Sequence, residues 1–264
     1  MVYKGYKSIH PILKMWVLFT SVLLSGDTSF IPCSLLLFRD IPDYWKHVKA
    51  KAIPATVQLQ SVFYEYTFPG DKVIDIGCAC GDVCDKLASV GFDVIGVDVN
   101  PEALKQAALS FKEKEHLRNS IFLQADAAAL PFANDIFDIA ILQAFLTTVA
   151  TKEVRHRIIR EACRVLKPGG HLYLADFGQT WHSKIYRERY INDLPLTKEE
   201  GSIIAYDQKT GEKAYISHHF TEKELVFLLV ENGFEIEFFR NEEFTTRTGN
   251  KINGLVFIGK KIGT

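Results

Sequence analysis

A chain of 264 residues, 47% apolar, is long enough for one large domain with a full core and some elaboration. Its 31 Lys and Arg against 32 Asp and Glu leave a formal net charge of −1, and no basic stripe with interleaved aromatics runs along it, so nothing calls for a nucleic acid or other polyanion. Three of its five cysteines crowd together as Cys78, Cys80 and Cys84, an odd-numbered set that does not read as a disulfide framework and suits a reducing cytoplasm.

The first 42 residues form an N-terminal extension. An apolar stretch from Met15 to Leu24, preceded by Lys4, Lys7 and Lys14, has the charged and apolar regions of a signal peptide without a convincing cleavage site. It is shorter than the roughly 20 apolar residues of a spanning helix, so no integral membrane span is expected. With a second patch, "FIPCSLLLF" (30–38), the preferred reading is one or two helices or a strand packed on the domain. A cleaved signal, a membrane-surface anchor and an upstream-extended start stand as alternatives.

From residue 43 to the end the pattern is orderly. Residues 43–66 read as helical, broken near Pro54, and "FPGD" (68–71) as a turn. A strand at 72–76 runs into a glycine turn and a helix that ends at Val90 and is closed by Gly91. A second strand (93–99) meets Asn100 and Pro101, a cap and first-turn pair for a helix burying Ala103, Leu104, Ala107, Ala108 and Phe111. Strands three and four follow at 121–126 and 136–145. Thr151 caps a helix with Val154, Ile158, Ala162, Val165 and Leu166 on one face; "KPGG" (167–170) is a turn, and "HLYLADF" (171–177) a fifth strand. Between Gly178 and Phe220 the alternation stops, with a hairpin expected at "DQKTGEK" (207–213). Thr221 and Glu224 make a capping box for a helix with Leu225, Leu228 and Leu229, stopped by Gly233, and strands at 234–240 and 252–260 finish the chain.

Alternating strands and helices imply an α/β fold: a doubly wound, Rossmann-like, mostly parallel sheet of seven strands with helices on both faces. Such sheets bind ligands at the carboxyl ends of their strands, which lines up Asp75, Asp98, Asp126 and Gln143 along one edge. The turn "VIDIGCACGD" (73–82) lacks the Gly-x-Gly-x-x-Gly phosphate fingerprint, keeping Gly77 and Gly81 with Ala79 between them. Asp75, where a pyrophosphate would lie, opposes phosphate and favours a cation. Asp98 can accept from both hydroxyls of a ribose, and Asp126 from the exocyclic amine of a base. A ligand with an ammonium, a ribose, an adenine and no phosphate satisfies all three acids, and S-adenosylmethionine is such a ligand. The plainer alternatives are caps beside loops for Asp75 and Asp98, a surface acid for Asp126 and a strand-end polar group for Gln143. The cysteine cluster lacks a fourth ligand, so no metal is expected.

"VIDIGCACGD", "VIGVDVN", "QADAAALPFANDIFDIAI" and "VLKPGGHLYL", in that order, resemble the motifs of class I S-adenosylmethionine-dependent methyltransferases of the type 11 domain group. The resemblance covers about residues 43–260, and "LQAFLT", "FGQTWHSKIYRERY", "HHFTEKELVFLL" and "TRTGNKI" are similar to archaeal members. It implies that Asp75 faces the cofactor's amino group and that Gly77, Cys78 and Gly81 close around the methionyl tail. It places Asp98 on the ribose, Val99 on the adenine, Asp126 and Ala127 at the base's amine and ring nitrogen, and Gln143 and Ala144 beside the methionine and sulfonium. Ala79 departs from the pattern, because a methyl fits there only with ordinary backbone angles.

Methyl transfer from a sulfonium needs alignment more than a general base. The segment 178–220, with Trp181, His182, Tyr186, Tyr190, His218 and His219, is the expected acceptor cover, and His182 and His218 are weak candidates for a base beside the plainer reading of structural histidines. The Asn/Asp-Pro-Pro-aromatic tetrapeptide of nucleic-acid amino-methylating enzymes and the metal-binding acid set of the catechol type are absent, which with the near-neutral charge favours a small-molecule acceptor. A cofactor-binding protein that transfers no methyl, and an NAD-dependent oxidoreductase, are the alternatives.

Overall fold

The computed structural model describes residues 43–53, 57–112, 120–207, 210–246 and 249–263; the N-terminal extension lies outside them. The elements are α1 (Asp43–His47), β1 (Lys72–Ile76), α2 (Asp82–Ser89), β2 (Asp93–Asp98), α3 (Pro101–Lys112), β3 (Ser120–Gln124), β4 (Phe137–Gln143), α4 (Lys152–Val165), β5 (Leu166–Phe177), α5 (Lys184–Thr197), β6 (Ser202–Tyr206), β7 (Lys213–His218), α6 (Glu222–Glu231), β8 (Phe234–Thr245) and β9 (Lys251–Lys261). Seven strands form one sheet in the order β3-β2-β1-β4-β5-β9-β8, with β9 antiparallel to both neighbours and the pairs from β3 to β5 parallel. The chain reverses its direction of strand addition between β1 and β4, and the crevice above such a point is where doubly wound sheets bind ligands.

Two-residue periodicity sorts β1 between two cores. Ile74 and Ile76 pack with Val154, Ile158 and Ile159 of α4 and Leu225 and Leu229 of α6. Val73 joins Leu87 of α2 and Leu104 and Phe111 of α3 on the opposite face. Asp75 shares Val73's face, so its carboxylate is directed by strand geometry into the α2 side.

Thr151 and Thr221 cap α4 and α6, the latter in the expected reciprocal box with Glu224. Two expectations need correction. The helical pattern over 43–66 yields only α1 and two short 3₁₀ turns, Ala50–Ala52 and Ser61–Glu65, with 54–56 outside the described residues. Tertiary partners take the backbone groups a longer helix would use: the Asn100 amide donates to the carbonyls of Trp45 and Val48, and the Gln60 N–H goes to the Tyr173 hydroxyl. The "KPGG" turn is absorbed into β5 as a bulge, where the register passes from Phe137 opposite Leu166 to Ile139 opposite His171 and Gly169 has φ +76°.

The stretch after β5 holds α5 and the β6–β7 hairpin, the hairpin as expected. The helix left no sequence signal because its apolar residues have no single stripe: Tyr186 and Tyr190 are buried while Ile185, Ile191 and Leu196 are exposed. A buried polar network fastens this insert to the domain. Arg155 of α4, 2% exposed, pairs with Glu199; His218, fully buried, meets the Ser202 hydroxyl at 2.8 Å through Nδ1 and Glu224 at 2.9 Å through Nε2. Thr221→Ala removes the cap that fixes Glu224 and is expected to cost about 1 kcal/mol, read as a lower urea midpoint at unchanged slope.

Candidate functional site

At the end of β1 the chain must turn sharply enough for its amides to reach β2. The N–H groups of Gly77 and Cys78 both donate to the Val97 carbonyl, at 2.8 and 3.0 Å. Gly77 does this at φ +81°, and a Cβ there would lie 2.3 Å from the Phe145 ring, so the turn and ring leave no room for a side chain. Gly81, also at φ +81°, opens α2. Between them Ala79 adopts φ +47°, which overturns the expectation of ordinary angles and places an L-residue in the left-handed region. What holds it is Asp98. The Ala79 N–H donates to Asp98 Oδ2 at 2.9 Å, and the Asn100 N–H to Oδ1 at 2.8 Å. Each carboxylate oxygen keeps lone-pair capacity, so two neighbouring hydroxyls could be accepted at once. Burial raises the Asp98 pKa above its ordinary value, and the backbone donors from Asn100 and Ala79 oppose that rise.

A cavity lies above the strand ends. Gly77, Asp98, Val99, Asp126, Ala127, Gln143 and Ala144 all line it. Ala144 is the second left-handed alanine here, at φ +50°, its N–H held by the Ala175 carbonyl at 2.7 Å. Such strained positions cluster where a fold over-determines a binding site. The Asp126 carboxylate accepts from the Ala128 N–H at 2.8 Å. Gln143 spends its amide nitrogen on the Val57 carbonyl, at 3.0 Å, and its buried Oε1 has no partner. That oxygen asks for a donor from a ligand.

Other expected residues lie elsewhere. Asp75, Cys78 and Gly81 are behind the wall. Asp75, 3% exposed, accepts from the Cys84 thiol at 3.3 Å, and burial above all pushes its pKa up to about 7, with the Cys84 bond opposing and Asp98 adding to the rise. His182 is exposed and His218 is locked in its network; neither lines the cavity. His219, with its pKa lowered to about 3 by burial first and by His218 and Arg189 next, takes the Tyr190 hydroxyl at 2.7 Å in an aromatic cluster with Tyr186. Among its described residues the expected cover therefore sends only Tyr215 and Ser217 to the cavity, where Ser217 meets the Thr147 hydroxyl at 3.0 Å. Sequence reasoning missed Trp45, Phe145, Thr147 and Phe177 in the wall. Trp45 offered no signal of its own, because the helical reading of 43–66 gave no reason to bring it to the strand ends.

The site's chemistry fits a nucleoside carrying a cationic tail: a carboxylate fixed for a diol, an acid beside an apolar slot, an orphan acceptor and a turn with no room for a Cβ. The methyltransferase domain family, type 11, matches residues 74–174. A solved SAM-dependent methyltransferase from Methanosarcina mazei is 47% identical, with a TM-score of 0.76 over 79% of this chain and 100% of that one. This chain belongs to the S-adenosylmethionine-dependent methyltransferase family. S-adenosylmethionine is accordingly its cofactor. A curated relative of this methyltransferase, the ubiquinone/menaquinone biosynthesis C-methyltransferase UbiE of Shewanella sediminis, is 31% identical over 172 residues, 63% of this chain and 67% of the relative. The [4+2]-cyclase SpnF, 19% identical with a TM-score of 0.57 over 76% of this chain and 80% of its own, shares the fold alone.

Two outcomes test this methyltransferase's turn. Ala79→Gly relieves the left-handed strain and should stabilise the protein by up to about 1 kcal/mol, whereas Ala79→Val should destabilise it by more than that, both read from urea midpoints. Asp75 titrates near 7 when folded and near 3.8 when unfolded, so its burial costs nothing below about pH 4 and costs progressively more as pH rises towards 7. The thermal midpoint of Asp75→Asn should therefore gain on that of the cofactor-free wild type as pH is raised from about 4 to 7, then hold a constant lead.

Proposed function

We propose that residues 43–264 transfer the methyl group of S-adenosylmethionine to a small-molecule acceptor, with 178–220 as the acceptor cover. The observation that carries this reading is the Asp98 carboxylate, held by two amides in a cavity wall at the end of β2. Asp98 binds the ribose diol. Asp126 and the Ala127 N–H take the adenine edge, and Val99 packs on its face. Gln143 Oε1, and behind the turn Asp75, favour the amino group, while Gly77, Cys78 and Gly81 shape the turn around the tail. The bound cofactor supplies an electrophilic methyl on a sulfonium. The chain's own residues align the acceptor and exclude water, and among the described residues the cavity wall holds no His, Lys or Arg. That favours an acceptor atom already nucleophilic at neutral pH over one deprotonated by a protein base.

The relative named as a C-methyltransferase supports carbon as the methylated atom, and the near-neutral charge favours a small acceptor over nucleic acid. The free thiols of Cys78, Cys80, Cys84 and Cys163 support a reducing compartment, the cytoplasm. Among the described residues no helix is long and apolar enough to cross a membrane. Calorimetry with S-adenosylhomocysteine should show binding that Asp98→Ala weakens at least tenfold, with NAD not bound. Labelled methyl should then appear in a product when candidate acceptors are screened with S-adenosylmethionine. Binding without transfer to any acceptor would favour a cofactor-binding protein; NAD binding would sink the reading.

A further inference from the structure

The cofactor's carboxylate has no counterpart among the groups assigned so far. Ribose, adenine and ammonium each meet a matching group, but among the described residues the cavity wall offers no Lys, Arg or His for an anion. Within that wall the carboxylate falls to neutral donors, which can bind an anion well when they are fixed and sheltered from water. One such donor stands out. Trp45 lines the cavity, and its indole N–H is buried without a hydrogen-bond partner, a costly arrangement that a ligand would relieve.

The position of Trp45 is set from two sides. Its backbone carbonyl accepts from the Asn100 side chain at 2.8 Å, just beyond the end of β2. Its ring packs 4.7 Å from that of Tyr215 on β7, a strand joined to the turn after β4 by the Ser217–Thr147 hydroxyl pair. Since β1 lies between β2 and β4, a residue tied to both neighbours spans the end of β1. There the Gly77 turn receives the methionyl tail.

We propose that the indole N–H of Trp45 donates to the carboxylate of the bound cofactor's amino-acid tail, making Trp45 a cofactor-binding residue. The proposal rests on the methyltransferase reading and adds to it a contact from outside the matched family segment, residues 74–174. Asn100 then serves two ends of one ligand. Its N–H orients Asp98 for the ribose, and its side chain holds the Trp45 segment over the tail.

Trp45→Phe keeps an aromatic ring against Tyr215 and removes the donor. Calorimetry would compare S-adenosylhomocysteine, which has the amino-acid tail, with 5′-methylthioadenosine, which lacks it, on wild type and variant. The expected result is about a tenfold loss of S-adenosylhomocysteine affinity with methylthioadenosine affinity changed less than about twofold. Equal losses for the two ligands would mean that Trp45 is only a wall, and no loss for either would mean that the donor goes unused; both overturn the proposal. If the wild type binds neither ligand, the methyltransferase reading fails, an outcome separate from the pattern that would overturn Trp45 alone.

Discussion

The clamp on Asp98 is the constraint from which the rest of the site follows. One carboxylate takes an N–H from the turn after β1 and another from the residue that caps α3, so it fastens two βα units together at their ligand-binding ends. The turn can accept an alanine at φ +47° because that anion holds the amide in place. Through Asn100 the same junction extends to α1: Oδ1 of Asn100 caps α3 at Ala103, while its amide nitrogen bridges the carbonyls of Trp45 and Val48. A buried, fully employed side chain thus ties Asp98 to the segment that brings Trp45 to the cavity lining. Moving Asp98 would disturb the turn, the helix start and that segment together.

Much of the site's stored cost sits in acids placed away from water. Asp75 lies against the α2 core, and Asp176, fully buried, is pushed up to about 7 by burial despite donors from Phe177 and Thr147. The two differ in use. Asp176 receives the Thr147 N–H at 3.1 Å and so fixes the turn that carries Phe145 and Thr147 into the cavity, a structural duty it can perform in either charge state. Asp75 has only the weak Cys84 thiol as a side-chain donor, and a cation nearby would favour its ionised form. A buried acid with so little local support is expensive for the fold alone, and it makes sense in a protein whose ligand brings a positive charge.

How much of this was legible in the residues depended on whether a local rule decided them. The mostly parallel sheet, the succession of strands along the chain, the Thr151 and Thr221 caps and the glycine turn were legible because periodicity and capping act over a few residues. The ends of β1, β2 and β4 followed from them, and with those ends came Asp98, Asp126 and Gln143 in one cavity. Trp45 was not legible, because its place is dictated by an amide 55 residues away. The aromatic and histidine content of 178–220 misled for a related reason. Residue type marked it as a cover, but Trp181, Tyr186, Tyr190 and His219 spend their rings on one another, and among its described residues only the alternate Tyr215 and Ser217 of one strand reach the cavity. Ala79 shows a third limit: a lone substitution at a glycine position leaves open whether the backbone has changed or the strain is tolerated.

The composition of the wall also bears on how the reaction is driven. A sulfonium loses positive charge as its methyl leaves, so a wall without fixed cations does not oppose the charged reactant, and an apolar one favours charge dispersal over charge retention. Val149, Val154, Ile158 and Phe177 give the cavity that character, with Asp98 and Asp126 as the acids among its described lining residues. Any nearby histidine would have to be free to take a proton, yet His218 has both nitrogens engaged and His219 is held neutral by burial. His218, with Arg155, Glu199 and Glu224, is thus committed to fastening the insert to the domain, and His219 to its aromatic cluster. On the reading proposed above, acceleration would come from alignment in a dry enclosure, with the polar network of 178–220 supplying rigidity and the acceptor supplying its own nucleophilicity.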